Sequence, residues 1–304
     1  MQRIIPAAIA VAFGTLIMSG AYAQQAPDFS KVEIKTTDLG NKTYMLEGQG
    51  GNITVAVGDD GVIMVDTQFA PLHDKIKAAV AKVSPQPIKY VINTHYHGDH
   101  TGGDEAFQKD GAVVVAHTNI NKRLATPVAN ALTGVTAPPA TGDALPKQTY
   151  TGTSTSVTVK GRTAQVTYQP NAHTDGDSAV YFADANVLAT GDIVSVGGRY
   201  PNIDVAVGGN IKGMIAVVDN YLKLANDNTK IVPGHGALMT KAQMAQYRTL
   251  LVTARDRVAK LISEGKSEDD VVKAKPIQDL EQQAGANETA TANFLRLTYR
   301  SLKS

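Results

Sequence analysis

The chain has 304 residues, with 29 Lys+Arg against 28 Asp+Glu, 43% hydrophobic residues and 19% charged ones. That balance excludes a disordered chain and predicts a globular protein with a substantial core. A formal net charge of +1 removes any general electrostatic reason for binding nucleic acid or an anionic membrane surface.

The first 23 residues differ from the rest. Arg3 gives a short positive region, "IIPAAIAVAFGTLIMSG" is uncharged and apolar, and "AYA" at Ala21 to Ala23 is a small-x-small cleavage signal. The expectation is a secretory signal peptide over residues 1–23, cleaved after Ala23. It places the mature chain, residues 24–304, in the periplasm or outside the cell, with no stable membrane insertion. Pro6, Gly14 and the pair Ser19-Gly20 weaken the competing reading as a spanning helix. The chain contains no cysteine. An exported chain of this kind has no disulfides, and any metal site in it must be built from His, Asp and Glu.

In chain order, a polar stretch "QQAPDFSKVEIKTTDLGNK" precedes three strands, "KTYMLEG", "GNITVAVGDD" and "GVIMVDTQ", separated by Gly and Asp-Gly turns. "PLHDKIKAAVAKV" has Pro71 at its start and apolar residues at helical spacing. A strand "PIKYVINT" follows, then a short helix "DEAFQKD", a strand "AVVVAH" and a helix "TNINKRLA". Thr126 to Tyr150, rich in Pro, Gly, Ala and Thr, reads as one long loop. Strands "TSVTVKG", "RTAQVTYQP", "DSAVYFA" and "NVLATGD", a helix "KGMIAVVDNYLKLA", a strand "TKIVPG" and helices from Thr240 to Glu264 then repeat the order of the first half. Strands followed by helices, twice over, predict an α/β protein in which two mixed sheets pack face to face with helices outside. The end of the chain, from about residue 265, reads as two helices broken at Pro276 and Gly285, with Phe294, Leu295, Leu297 and Leu302 packed on a single domain.

Chemistry concentrates in "VINTHYHGDHTGG", Val91 to Gly103. His95, His97, Asp99 and His100 form H-x-H-x-D-H directly after a predicted strand. In extended backbone, residues two apart point the same way, so His95 and His97 can approach one ion from one side. Asp99 and His100 can serve a second. Three further candidates recur in the same context: His173 beyond "AQVTYQP", Asp192 beyond "NVLATG" and His235 beyond "KIVPG". Strands ending at one sheet edge would bring all seven side chains to one rim. Imidazole and carboxylate suit Zn²⁺, and also Fe, Mn or Co. Two of the seven histidines stay outside the set: His73 and His117, each at a helix start, read as capping or solvated residues.

These residues resemble the metallo-β-lactamase superfamily, whose motif matches His95, His97, Asp99 and His100 and whose later ligands match His173, Asp192 and His235 in order. The resemblance covers nearly the whole mature chain and implies a four-layer αβ/βα sandwich with a dinuclear zinc site. By it, His95, His97 and His173 would hold the first ion, Asp99, His100 and His235 the second, and Asp192 would bridge them. Asp66, ending "GVIMVD", matches a supporting aspartate that orients a ligand. Two such ions bring a bridging water toward neutral pKa from about 15.7, giving hydroxide for hydrolysis of a small molecule, with Asp99 as the catalytic carboxylate.

Asp at 192 and the absence of cysteine resemble the thioesterase, lactonase and exported β-lactamase-like branches. Export disfavours a glutathione thioesterase. The expectation is hydrolysis of a cyclic amide or ester, with β-lactams the leading class. Alternatives are a lactonase or thioesterase, a mononuclear iron persulfide dioxygenase with iron on His95, His173 and Asp192, or a metal-loaded binding protein. The loop "SVGGRYPNIDVAVGGNIKG", Ser195 to Gly213, reads equally as a specificity element or a plain connection.

Overall fold

The computed structural model describes residues 28–304, so the expected signal peptide lies outside the described residues. Five strands and a helix come first: β1 (Lys35–Gly40), β2 (Thr43–Glu47), β3 (Ile53–Val57), β4 (Val62–Val65), α1 (His73–Val83) and β5 (Ile88–Ile92). Next are α2 (Gly98–Thr101), α3 (Asp104–Lys109), β6 (Val113–His117), α4 (Thr118–Ala125) and β7 (Gln148–Tyr150). The second half contains β8 (Ser154–Val159), β9 (Arg162–Tyr168), β10 (Ser178–Phe182), β11 (Val187–Ala189), α5 (Ile211–Leu224) and β12 (Lys230–Val232). Helices α6 (Lys241–Ser263), α7 (Glu268–Ala274), α8 (Glu281–Ala284) and α9 (Glu288–Lys303) complete it.

The strands form a seven-stranded sheet in the order β1-β2-β3-β4-β5-β6-β7 and a five-stranded sheet in the order β12-β11-β10-β9-β8. β1 to β4 pair antiparallel and β4 to β7 parallel; in the second sheet only β11 and β12 are parallel. The period-2 alternation of side chains decides the layering. In β4, Ile63 and Val65 face the other sheet while Val62 and Met64 face helices. In β11, Val187 and Ala189 face inward and Leu188 outward. One apolar layer therefore lies between the sheets, with Val115, Val166, Val180 and Phe182 among its members. A second lies under α1 and α3, around Ile76, Val80 and Phe107. The third lies under α5, α6 and α9, around Met214, Leu251 and Phe294. Each fully buried aliphatic side chain contributes on the order of 1.5–3 kcal/mol. The result is the four-layer αβ/βα sandwich expected from the sequence.

Three local differences have physical reasons. β1 lies in what reads as a polar lead-in, because an edge strand buries only one residue in its run, Leu39. The expected loop from Thr126 to Tyr150 ends in β7, which pairs with β6 through main-chain bonds that need no apolar pattern. The helical region after Thr240 is one 23-residue helix, started by a capping box in which Thr240 and Gln243 satisfy each other's main-chain N–H groups. The chain end does break at Pro276 and Gly285, with α8 between them, and Phe294, Leu295 and Leu297 of α9 are buried as expected. Among the described residues no helix is long and apolar enough to cross a membrane.

Candidate metal centre

The seven predicted side chains meet at one end of the two sheets. His95 and His97 follow β5, Asp99 and His100 occupy the single turn α2, His173 follows β9, Asp192 follows β11 and His235 follows β12. Ligand atoms of His95, His97, His173 and Asp192 lie within 4.8 Å of one another, as do those of Asp99, His100 and His235. Asp192 sits between the groups: its Oδ1 is 3.1 Å from His100 Nε2 and 3.4 Å from His235 Nε2, and its Oδ2 is 4.0 Å from His173 Nε2. Close backbone approach makes this possible. A methyl group at Gly234 would overlap Asp192 Oδ1, so the strand that carries His235 passes against the one that carries Asp192 only with glycine there.

Hydrogen bonds fix which nitrogen faces inward in four of the five rings. His100 Nδ1 is 2.7 Å from Asp66 Oδ2 and His97 Nε2 is 3.1 Å from Asp204 Oδ2; a carboxylate only accepts, so these nitrogens carry the protons. His173 Nδ1 donates to the carbonyl of Asn202 at 2.7 Å. Thr94 Oγ1 donates to Asp66 Oδ2 and therefore accepts from His95 Nδ1 at 3.0 Å. Two lone pairs left over converge, since His97 Nδ1 faces His173 Nε2 at 3.0 Å, and His95 Nε2 is buried with no partner, while His100 Nε2 and His235 Nε2, 3.3 Å apart, each lie beside a carboxylate, Asp192 or Asp99. Facing lone pairs repel unless a cation lies between them. The donor set thus fits divalent ions, and the outward partners are the kind that orient metal-bound imidazoles.

Electrostatics agree. Burial lowers the His95 and His173 imidazoles, the former well below its usual range and the latter to about 4, keeping both neutral. Burial also opposes charge on His100 and His235, but carboxylates outweigh it: Asp192 and Asp66 raise His100 well above normal, and hydrogen bonds to Asp192 and Asp99 raise His235 to about 9. Burial works against ionised Asp99 too, yet His235 and His100 bring it down to about 2. Ionised carboxylates around this knot of nitrogens demand positive charge.

Asp66 lies behind the cluster, against His100 and Thr94. It accepts from Thr94 N and Thr94 Oγ1 at 2.7 Å each as well as from His100, joining the start of the histidine loop to β4. Its φ of +65° is the left-handed region, a strain held by those bonds. Asp204 was not singled out by sequence reasoning, although it lies in the Ser195–Gly213 loop; a carboxylate well beyond a candidate ligand has no spacing signature. It also accepts from Tyr96 Oη. Asp177, which accepts from the main-chain N–H of His173 and Thr174 at 2.7 and 2.8 Å, was missed for the same reason. His73 and His117 do lie elsewhere: His117 caps α4 and stacks on Tyr168, while His73 contacts Asp74 and Asp110. A polar cleft of about 340 Å³ opens on the cluster, lined among others by Asn52, Phe69, Asp99, Arg199 and His235.

The sandwich thus carries two adjoining His/Asp groups at one sheet edge, an arrangement that can hold divalent ions. The family model described as the metallo-beta-lactamase superfamily matches residues 46–235, and the chain belongs to that superfamily. Among curated proteins it is 30% identical over 150 residues to 2,4-dinitroanisole O-demethylase subunit alpha of Nocardioides sp. (strain JS1661), covering 48% of this chain and 42% of that protein. It is 23% identical over 252 residues to linear primary-alkylsulfatase of Pseudomonas sp. (strain ATCC 19151), covering 70% and 47%. The chain spans about half the length of these relatives. The fold is shared with the sec-alkylsulfatase Pisa1 from Pseudomonas sp., at TM-score 0.67 and 17% identity over 88% of this chain and 50% of that one. It is shared also with a metallo-beta-lactamase from Pontibacter korlensis, at TM-score 0.58 and 18% identity over 72% and 99%.

Proposed function

We propose that the protein is an exported dinuclear hydrolase that opens a cyclic amide or ester, with β-lactams the first substrate class to assay and zinc the resident ion. The observation that carries this reading is the convergence of inward-facing ring nitrogens and carboxylates in two adjoining groups with Asp192 between them. His95, His97 and His173 would hold one ion, Asp99, His100 and His235 the other, with Asp192 shared. When bound, such ions supply a hydroxide nucleophile at neutral pH and polarise the scissile group. The chain's own residues do the rest. Asp99 is ionised and lines the cleft, so its carboxylate can orient the nucleophile through a hydrogen bond, take the nucleophile's proton as it attacks and pass that proton to the leaving atom. Asp66, Thr94, Asn202 and Asp204 hold the imidazoles in the ligating tautomer, which lowers the cost of assembling the site.

A second reading is hydrolysis of an alkyl sulfate ester; the alkylsulfatase relative, matched over 70% of this chain, favours it. Elemental mass spectrometry on purified protein, run beside nitrocefin and dodecyl sulfate hydrolysis before and after chelation, tests both. About two zinc ions per chain with chelator-sensitive nitrocefin turnover is the expected result. Turnover of the sulfate alone would transfer the assignment to the second reading. One iron per chain with no hydrolysis of either would overturn both.

A further inference from the structure

Asp192 and His235 each lead within a few residues into the walls of a second hollow. Beyond Asp192 the chain forms one wall, with Ser195 and Tyr200; beyond His235, Leu238 and Met239 form another, and Tyr247 and Leu250 of α6 close it into a cavity of about 210 Å³. Val196, Gly197 and Arg199 line both this cavity and the polar cleft over the metal cluster. The two spaces are neighbours sharing one rim. Their characters differ: the cleft is walled by Glu47, Asn52, Asp99 and His235, the cavity mainly by apolar side chains. Its walls are fixed, since Tyr200 stacks on Phe294 with ring centroids 4.6 Å apart and Tyr247 Oη donates to Ile193 O at 2.8 Å.

Two observations point to an occupant. Every other arginine among the described residues is paired with a carboxylate, whereas Arg199, exposed on the shared rim, has no ion-pair partner among them. Ser195 Oγ, on a cavity-lining residue, is buried without a hydrogen-bond partner. A cation at the junction of a polar cleft and an apolar cavity suits a molecule that is anionic at one point and apolar beyond it.

We propose that the cavity receives the apolar tail of an anionic substrate whose polar end lies in the cleft and whose negative charge is held by Arg199. The tail is a medium-length acyl or alkyl chain: at ~30 Å³ per water-sized group, the cavity takes roughly six to eight carbons. This inference rests on the hydrolytic reading for the direction in which the substrate lies, while the pocket itself is testable without turnover.

The experiment is calorimetric titration of the full chain, purified with its metal, with acetate, butanoate, hexanoate and octanoate. Affinity is expected to rise by up to about fourfold for each added methylene that reaches the cavity. Gln246→Trp, at an exposed α6 position lining the cavity, should abolish that gain while leaving acetate binding intact; Leu238→Trp gives an independent block. Arg199→Gln should weaken all four acids about equally, by roughly tenfold for a lost charge-assisted bond, with Arg199→Lys recovering part of it. Octanoate binding no tighter than acetate, or a chain-length gain that survives both blocks, overturns the proposal. p-Nitrophenyl acetate and octanoate assayed in parallel separate it from the reading beneath it. A chain-length gain in binding with neither ester cleaved leaves the pocket standing and removes hydrolysis; both esters cleaved at equal KM removes the pocket and leaves hydrolysis standing.

Discussion

Replacing Asp204 by Asn tests whether the ring orientation of His97 is imposed from outside the cluster. Asp204 is 4% exposed, accepts from His97 Nε2 at 3.1 Å and from Tyr96 Oη, and those bonds overcome its burial to hold its pKa below normal. Asparagine keeps the shape and one acceptor oxygen, so the fold should persist. The charge goes, and a bond to a neutral acceptor is about half as strong as one to a carboxylate. Loss of an outer partner of a metal-binding imidazole typically costs roughly 10- to 100-fold in affinity, or about 1.4–2.8 kcal/mol. Competition against a chromophoric chelator should show weakening in that range at one of the two ions, with kcat/KM falling by a similar factor and the metal-free melting temperature nearly unchanged. Metal affinity and kcat/KM both at wild-type values would refute the claim that Asp204 sets the tautomer. A large fall in the metal-free melting temperature would show instead that its role is structural.

Two further outcomes follow from the geometry. Burial pushes the Asp104 carboxyl up to about 8, against hydrogen bonds from Asn93 and Thr67 that favour the charged form. Its folded pKa therefore exceeds the unfolded one, the unfolded chain loses the proton first, and stability falls as pH rises from about 4 to 8, by at most ~1.4 kcal/mol per pH unit. Urea denaturation of chelated protein at pH 5 and pH 8 should show Asp104→Asn losing less stability across that interval than wild type; equal losses would contradict the assignment. Gly234→Ala should displace Asp192 and lower bound metal below two ions per chain, read by elemental analysis, because the new methyl group has no room beside Oδ1.

Most of this molecule is legible in its sequence because period-2 burial and turn residues mark the strands that carry the core. β4, β6, β10 and β11 are almost continuous apolar runs, buried on both faces as inner strands of a sandwich must be. β1 and β7 escape such reading because edge pairing is made by main-chain groups, which leave no mark on side-chain chemistry. The same division holds at the cluster. The inward groups are His and Asp at strand ends, a recurrence that few roles besides metal binding require. Their outward partners include a carbonyl of Asn202, a hydroxyl of Thr94 and the carboxylate of Asp204, ordinary residues whose role appears only when the chain is folded.

The provenance of the seven inward groups has a mechanical corollary. Four come from the half containing the seven-stranded sheet and three from the half containing the other, and no disulfide joins the halves anywhere. Ions seated among them would act as a clasp at one end of the seam between the sheets. Removing them would leave the apolar layer in place but unfasten that end, so a protease should find the depleted protein first at the loops around residues 95–101, 173–176 and 192–213.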